Sequence, residues 1–382
     1  MLRKFSTLLI CLLFTAATYA QTDSSHLRIS LITCGVGDEI WESFGHTGVR
    51  VIDSTHGTDI VYNYGTFNGY DKDFEIKFMR GRLLYFVSTD HFNDFMQEYI
   101  MAHRKVEEQV LLMTGAQKLS IDNFLKENVK PENMYYKYDF YFDNCATRIR
   151  DIFPSTMGES LKFGRTLPVG ARISYRNITD QYLYKKHWER LGIDILLGSK
   201  VDKPMSNEGA MFLPDYLRDG IAGATVNGKR VSSDPVTILP GNDTGSAGIN
   251  QPFVLMCIIA LITMAGLYFP KLRMLGNVMS SLLLLVTGLL GILILFMWFA
   301  TDHKACQDNF NLLWALPTNI ILAFRSRGRS RYAIVAICLL LVSLVLHVLK
   351  IQELPLLQLG PLLLTMLFIY GMIYRRTKPK TA

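Results

Sequence analysis

"YFDNCATRIRD", residues 141–151, sets a cysteine straight after Asp143 and Asn144 and ahead of a short amphipathic run. Asp and Asn are good helix N-caps, so the stretch predicts a helix over 144–153, stopped by Pro154, with Cys145 in its first turn. There the unpaired N–H groups and the helix dipole stabilise a thiolate and lower the thiol pKa. Arg148, three residues on, shares the cysteine's face, and Arg150 adds positive charge nearby. Far upstream, "ESFGHTGVRV", 42–51, opens an alternation in which His46, Gly48 and Arg50 face one way and Thr47, Val49 and Val51 the other. A cysteine and a histidine so placed are either a thiol nucleophile and its base, or a core residue and a surface residue.

The surrounding pattern is mixed. Alternating apolar runs predict strands over 27–34, 46–53, 58–65, 82–89 and 105–113; helical periodicity covers 90–102, 115–128, 179–191 and 208–220. An antiparallel sheet packed against helices is expected, an α+β domain. Strands 46–53 and 58–65 pair as a hairpin, which offers Asn63 or Tyr62 to hold the second ring nitrogen of His46; spacing leaves both open. Gly45 lets a backbone or a substrate approach closely. Glu39 and Ser43, in the loop before it, are candidates for the rim of a site. Cys34 and Cys145 form an even pair, which in an oxidising compartment reads as a disulfide. Against that, Cys34 ends an apolar strand, where a free cysteine packs as a small hydrophobe.

The two ends place the chain at a membrane. Residues 1–20 read as a secretory signal peptide, with Arg3 and Lys4, an apolar stretch, and Thr18-Tyr19-Ala20 as the cleavage site. Residues 21–230 are expected to be one globular domain outside the cytoplasm, and the Gly-, Ser- and Pro-rich stretch 231–251 a linker. Residues 252–382 are expected to be a transmembrane domain with spans at about 252–269, 277–300, 309–324, 332–349 and 355–374. Five spans put Lys271, Arg273, Arg325, Arg327, Arg329, Arg331, Arg375, Arg376, Lys378 and Lys380 on the cytoplasmic side, with no acid among them. The net charge of +7 is thus a topology signal, since roughly −4 remains for the ectodomain. No nucleic-acid partner is expected.

The order "GDEIWESFGHTGVRV", "VYNYGTF", "FMRGRLLYFVS", "YFDNCATRIRD" and "TDHKACQDNFNLLWALPTN" resembles the Lnb family of bacterial lipoprotein N-acyltransferases, over residues 27 to about 325. The resemblance implies a permuted papain-like ectodomain, similar to lecithin-retinol acyltransferase and NlpC-type relatives, followed by an all-α membrane domain of about five transmembrane helices. It implies Cys145 as nucleophile, His46 as base and, from the strand after the histidine, Asn63 as the third residue. The function expected is transfer of a fatty acyl chain from a phospholipid, through a thioester on Cys145, to the N-terminal amine of a lipidated lipoprotein cysteine. The location expected is the bacterial inner membrane, multi-pass, with the N-terminal domain in the periplasm. Substrate-contacting candidates are Glu39, Ser43, Tyr62, Asn144 and Arg148, together with Asp302, His303, Asn309 and Asn311 in the outer loop 301–311, where a lipid headgroup or lipoprotein neck must pass. No metal-ligand spacing appears, and neither metal nor cofactor is expected. The alternatives are an envelope thiol amidase or peptidase of the NlpC type, and a non-catalytic membrane-anchored scaffold.

Overall fold

A computed structural model describes residues 26–242, 245–324 and 330–377. The expected signal peptide, and the cations Arg325, Arg327, Arg329, Lys378 and Lys380, lie outside them. Contacts divide the chain into two units: one takes the chain up to Asn68, Leu84–Pro168 and the stretch from Asn207 to the linker, and the other takes Gly69–Leu83, Val169–Ser206 and the chain beyond the linker. Two segments of the expected ectodomain therefore belong with the apolar helices, which differs from a single boundary at residue 230.

The first unit is an α/β domain. Its strands are β1 (Leu27–Cys34), β2 (His46–Asp53), β3 (Thr58–Thr66), β4 (Leu84–His91), β5 (Val106–Val110), β6 (Tyr135–Lys137) and, after three two-residue strands β7 (Leu161–Lys162), β8 (Thr225–Val226) and β9 (Lys229–Arg230), β10 (Val236–Leu239). The main sheet runs β10-β5-β1-β2-β3-β4-β6, with antiparallel pairing throughout. Alternation sorts its side chains. Ile29, Leu31, Val49, Val51, Tyr62 and Tyr64 pack with Ala146, Ile149 and Phe153 of the cysteine helix. Ile32, Cys34 and Val61 pack with Phe95 and Tyr99 of the helix Phe92–Met101.

Three expectations change here. The cysteine helix runs Cys145–Met157 and carries Pro154 inside it; Ile152, Phe153 and Met157 stay buried on either side of the proline, and Gly158, at φ +73°, ends the helix instead. The expected helix 208–220 is two, Asn207–Ala210 and Pro214–Ala222, because Pro214 opens a new first turn. Part of the expected linker is structured: Val231 and Ser232 are buried, and Val236–Leu239 pairs with β5. The β-branched run Val236-Thr237-Ile238 accounts for that strand.

In the second unit the expected helix 179–191 is again two, Tyr175–Tyr182 and His187–Leu196. The buried Arg176 guanidinium ties this region together, bonding Asp202 at 2.7 Å, Asp194 at 3.1 Å and the carbonyl of Leu197 at 3.1 Å. Among the described residues four helices are long and apolar enough to cross a membrane: Gln251–Tyr268, Arg273–Phe299, Ser330–Val348 and Leu356–Thr377. The expected third span, 309–324, is built differently. It is a short turn, Phe310–Leu313, then Pro317, then the six-residue helix Asn319–Phe324.

That broken segment packs closely on the helix Arg273–Phe299. A Cβ on Gly291 would come within 2.0 Å of the Ala315 carbonyl oxygen, and one on Gly288 within 2.8 Å of the Ile320 nitrogen, so only glycine allows the approach. Asn319, fully buried, donates to Thr287 Oγ1 at 3.1 Å and accepts from the hydroxyls of Tyr332 and Tyr370, each at 2.9 Å. Asn319→Ala leaves both phenols without that acceptor. It is expected to cost roughly 1–3 kcal/mol, read as a lower unfolding temperature of the full chain in detergent; an unchanged temperature would show that the carboxamide does not hold the segment.

Candidate functional site

Cys145 is placed by its neighbour. Asn144 Oδ1 accepts the Thr147 N–H at 2.9 Å while Thr147 Oγ1 accepts the Asn144 N–H at 2.8 Å, a reciprocal cap that fixes the start of the helix. The same side chain donates through Nδ2 to the Phe140 and Phe212 carbonyls, both at 2.8 Å. Asn144, expected to contact substrate, is buried and its carboxamide is spent on structure.

The Cys145 sulfur is buried, with the backbone N–H groups of Thr47, Ala146 and Cys145 itself directed at it. Burial is the stronger influence: it pushes the thiol from 9.0 up to about 11, against those three N–H groups. This corrects the lowered pKa expected from the helix terminus. The cations expected to help are neutralised elsewhere. Arg148 makes a two-pronged bond to Asp143 at 2.6 and 3.0 Å and lies 3.5 Å above the Tyr136 ring, and Arg150 bonds Asp151 at 2.7 Å. Cys34 and Cys145 are both free thiols.

His46 opens β2 because Gly45 turns the chain at φ +74°, where a Cβ would meet the Cys34 carbonyl oxygen at 2.6 Å. His46 Nε2 lies 3.1 Å from Asn63 Oδ1, and Asn63 Nδ2 donates to Asp90 Oδ2 at 2.8 Å. A carboxylate only accepts, so Asp90 takes the NH₂ end of the amide and turns its oxygen to the ring. The proton of the neutral imidazole then sits on Nε2 and Nδ1 carries the lone pair. Burial lowers the His46 pKa from 6.5 to about 4, against the Asn63 bond and with help from the Arg104 charge. Arg104 is itself buried and bonds Glu42 at 2.9 Å and the Gly35 carbonyl at 3.0 Å, clamping the loop ahead of β2.

Of the two orienting candidates, Asn63 is the one bonded to the ring. Tyr62 points to the other face and is buried in the core. Glu39 is exposed, and its carbonyl accepts the Ser43 hydroxyl at 3.1 Å, within the short turn Ile40–Glu42 and its caps.

Asp302, His303, Asn309 and Asn311 belong to the second unit. Asn309 and Asn311 are buried, and both donate to the Ile195 carbonyl at 2.9 Å; Asn309 also accepts from Gln352 at 3.1 Å, and Asn311 from Trp314 Nε1 at 2.8 Å. These two close the end of the helix His187–Leu196, which corrects their expected contact with substrate. Asp302 and His303 bind residues 78–82, described below.

Sequence reasoning missed four residues. Asp90 shares a strand face with Ser88, the register partner of Asn63, so the second hairpin held the signal. Gly48 leaves room for the Asn63 amide: a Cβ there would lie 3.1 Å from Oδ1. Gly65, at φ +92°, borders Cys145, Tyr136 and Tyr138. Tyr136 is buried with no hydrogen-bond partner for its hydroxyl among the described residues; no sequence pattern marks that. Among the described residues no three His, Cys, Asp or Glu side chains gather as a metal site.

Chemically, the thiol of Cys145 rests protonated and the imidazole of His46 rests neutral and oriented, so a thiolate arises only as the thiol proton leaves. Alkylation of Cys145 by a small thiol reagent is therefore expected to accelerate as pH rises through 9 towards about 11. A plateau already reached below pH 7 would mean an ion-paired thiolate and overturn this. Folding follows the same pKa values. His46 resists protonation in the folded state, so stability is expected to fall as pH drops from about 6.5 to about 4.

Residues 14–181 match the Lnb N-terminal periplasmic domain, and residues 244–381 match the Lnb transmembrane domain. No curated protein and no solved structure matches the chain. With both domains present in order and covering most of its length, the chain belongs to the Lnb family, bacterial membrane proteins with a periplasmic N-terminal domain.

Proposed function

We propose that the protein is a lipoprotein N-acyltransferase of the bacterial inner membrane, working through a papain-like Cys145–His46–Asn63 site. The observation that carries this reading is the chain His46 Nε2···Asn63 Oδ1, Asn63 Nδ2→Asp90, on strands that run beside Cys145, whose sulfur faces the N–H of Thr47, the residue after His46. A histidine held in one tautomer, on the strand whose next residue turns its N–H to the sulfur of a helix-start cysteine, supports the reading of a thiol nucleophile with a base. The family's pairing of a periplasmic domain with membrane helices favours a lipid as acyl donor over a wall peptide.

The acyl group moves in two transfers. Cys145 Sγ attacks an ester carbonyl carbon of a phospholipid while His46 Nδ1 takes the thiol proton. The Cys145 and Ala146 N–H groups and the unpartnered Tyr136 hydroxyl are the donors for the developing oxyanion. Collapse breaks the ester C–O bond, the imidazolium protonates the leaving alkoxide, and a lysophospholipid departs. The α-amine of a lipidated N-terminal cysteine then attacks the thioester, His46 takes its proton, and the thiolate leaves and regains that proton.

The test uses the full chain. Incubated with phospholipid and no lipoprotein, it is expected to gain one fatty acyl mass, released by neutral hydroxylamine as a thioester is. Cys145→Ala removes adduct and transfer; Cys34→Ala keeps both and costs packing stability alone. A chain that never acquires the adduct, or acquires it equally in Cys145→Ala, sinks the proposal, and release of a free peptide amine from a wall substrate would identify an amidase instead.

Asn63→Ala is expected to fold normally yet cut acylation by about 10²-fold, and Tyr136→Phe to cut it by about 10-fold or more with the fold intact. Crippling by Tyr62→Phe with Asn63→Ala silent would reverse the assignment of the orienting residue.

A further inference from the structure

The segment between β3 and β4 groups with the apolar helices. It contains the short helix Phe74–Met79, sequence FEIKFM, with apolar residues at four of its six positions and no buried residue. Ile76 is 51 % exposed, Phe78 54 % and Met79 44 %, and Tyr70 ahead of them is fully exposed. So much apolar surface on one short helix is costly in water, and larger exposed apolar patches mark partner or membrane surfaces.

Its position says which. The helix Arg273–Phe299 starts at the basic pair Lys271 and Arg273 and ends in the stacked rings of Trp298 and Phe299, an aromatic pair at the level where aromatic belts mark a bilayer boundary. Three and four residues past that end, the chain grips the segment. The Asp302 N–H donates to the Arg80 carbonyl at 2.9 Å, the His303 ring lies 3.2 Å from the Phe78 carbonyl oxygen, and Asp302 pairs with Arg82 at 3.6 Å. Gly81 sits at φ +66°, a conformation that favours glycine, and a Cβ there would press on His303 at 3.2 Å. The exposed helix is thus fixed at the height of the membrane boundary, on the side away from Lys271 and Arg273.

We propose that the helix Phe74–Met79 lies in the leaflet on that side, with Ile76, Phe78 and Met79 among the acyl chains and Lys77, Arg80 and Arg82 at headgroup level. The occupant of the surface is the same bilayer that the four apolar helices cross. The helix holds four apolar residues with one acidic and one basic residue, Glu75 and Lys77, and Arg80 and Arg82 follow it, so its charges can stay at headgroup level while the apolar side chains insert. The Asp302 and His303 contacts then serve to hold a lipid-inserted segment. This stands whether or not Cys145 is acylated.

The experiment places tryptophan on the helix. Full-chain Phe78→Trp and, separately, Met79→Trp are reconstituted in phosphatidylcholine–phosphatidylglycerol nanodiscs, and the added emission is taken against the parent protein in the same discs. Insertion predicts a blue-shifted added emission that is lost when the acyl chains are brominated. A tryptophan added at Thr55, an exposed turn residue of the first unit, is expected to keep its emission. Unshifted, unquenched emission from both helix variants, in protein that retains the parent's unfolding temperature, overturns the proposal.

Discussion

One buried carboxamide decides where Cys145 sits. Asn144 bonds the first turn of its own helix, the Phe140 carbonyl before it and the Phe212 carbonyl from a distant segment. Those bonds fix the helix start, and with it the depth of Cys145, the next residue. Because three partners are engaged, a change at Asn144 would strand buried polar groups as well as free the helix end. The sulfur's position against Thr47 follows from that anchor, and β2 needs only its Gly45 turn to set His46 one residue away.

Burial then sets the character of the site. The helix terminus offers N–H groups to the sulfur, as its sequence promises, yet desolvation outweighs them and the thiol stays protonated. The same burial empties His46 of charge. On the reading proposed above, the resting charge of the two groups matters less than the orientation of the ring, which the Asn63–Asp90 bond provides.

The legible parts of the fold share one physical feature, a repeating pattern. β1 and β2 begin and end where alternation puts them, 27–34 and 46–53, and the helix 115–128 coincides with its expected bounds. Cys145 in a first turn and the pairing of the His46 strand with the Asn63 strand were legible for the same reason. The illegible parts depend on non-local partners. Arg148 looks like a cation beside a thiol until Asp143 takes its charge. Asn309 and Asn311 look like a polar loop open to ligands, and the sequence has no sign that their acceptor is the Ile195 carbonyl. Pro154 reads as a stop, and a core on both sides of it overrides that reading.

The broken segment 309–324 shows how far hydropathy carries. Its apolar content resembles a span, but Pro317 forbids a continuous helix, and irregular backbone in an apolar setting survives only where protein surrounds it. Trp314, Ala315, Asn319 and Leu322 are accordingly among the most buried residues of the second unit. Gly288 and Gly291 give the segment a surface to lie against, and Asn319 finds its partners on three separate helices, at Thr287, Tyr332 and Tyr370. The charge rule expects the chain to change sides between the acidic loop at Asp302 and Asp308 and the basic residue Arg331. Among the described residues the four longer helices alone have the length and apolarity of a span. The polar residues that make this segment look unlike one are spent on holding its irregular backbone inside the protein.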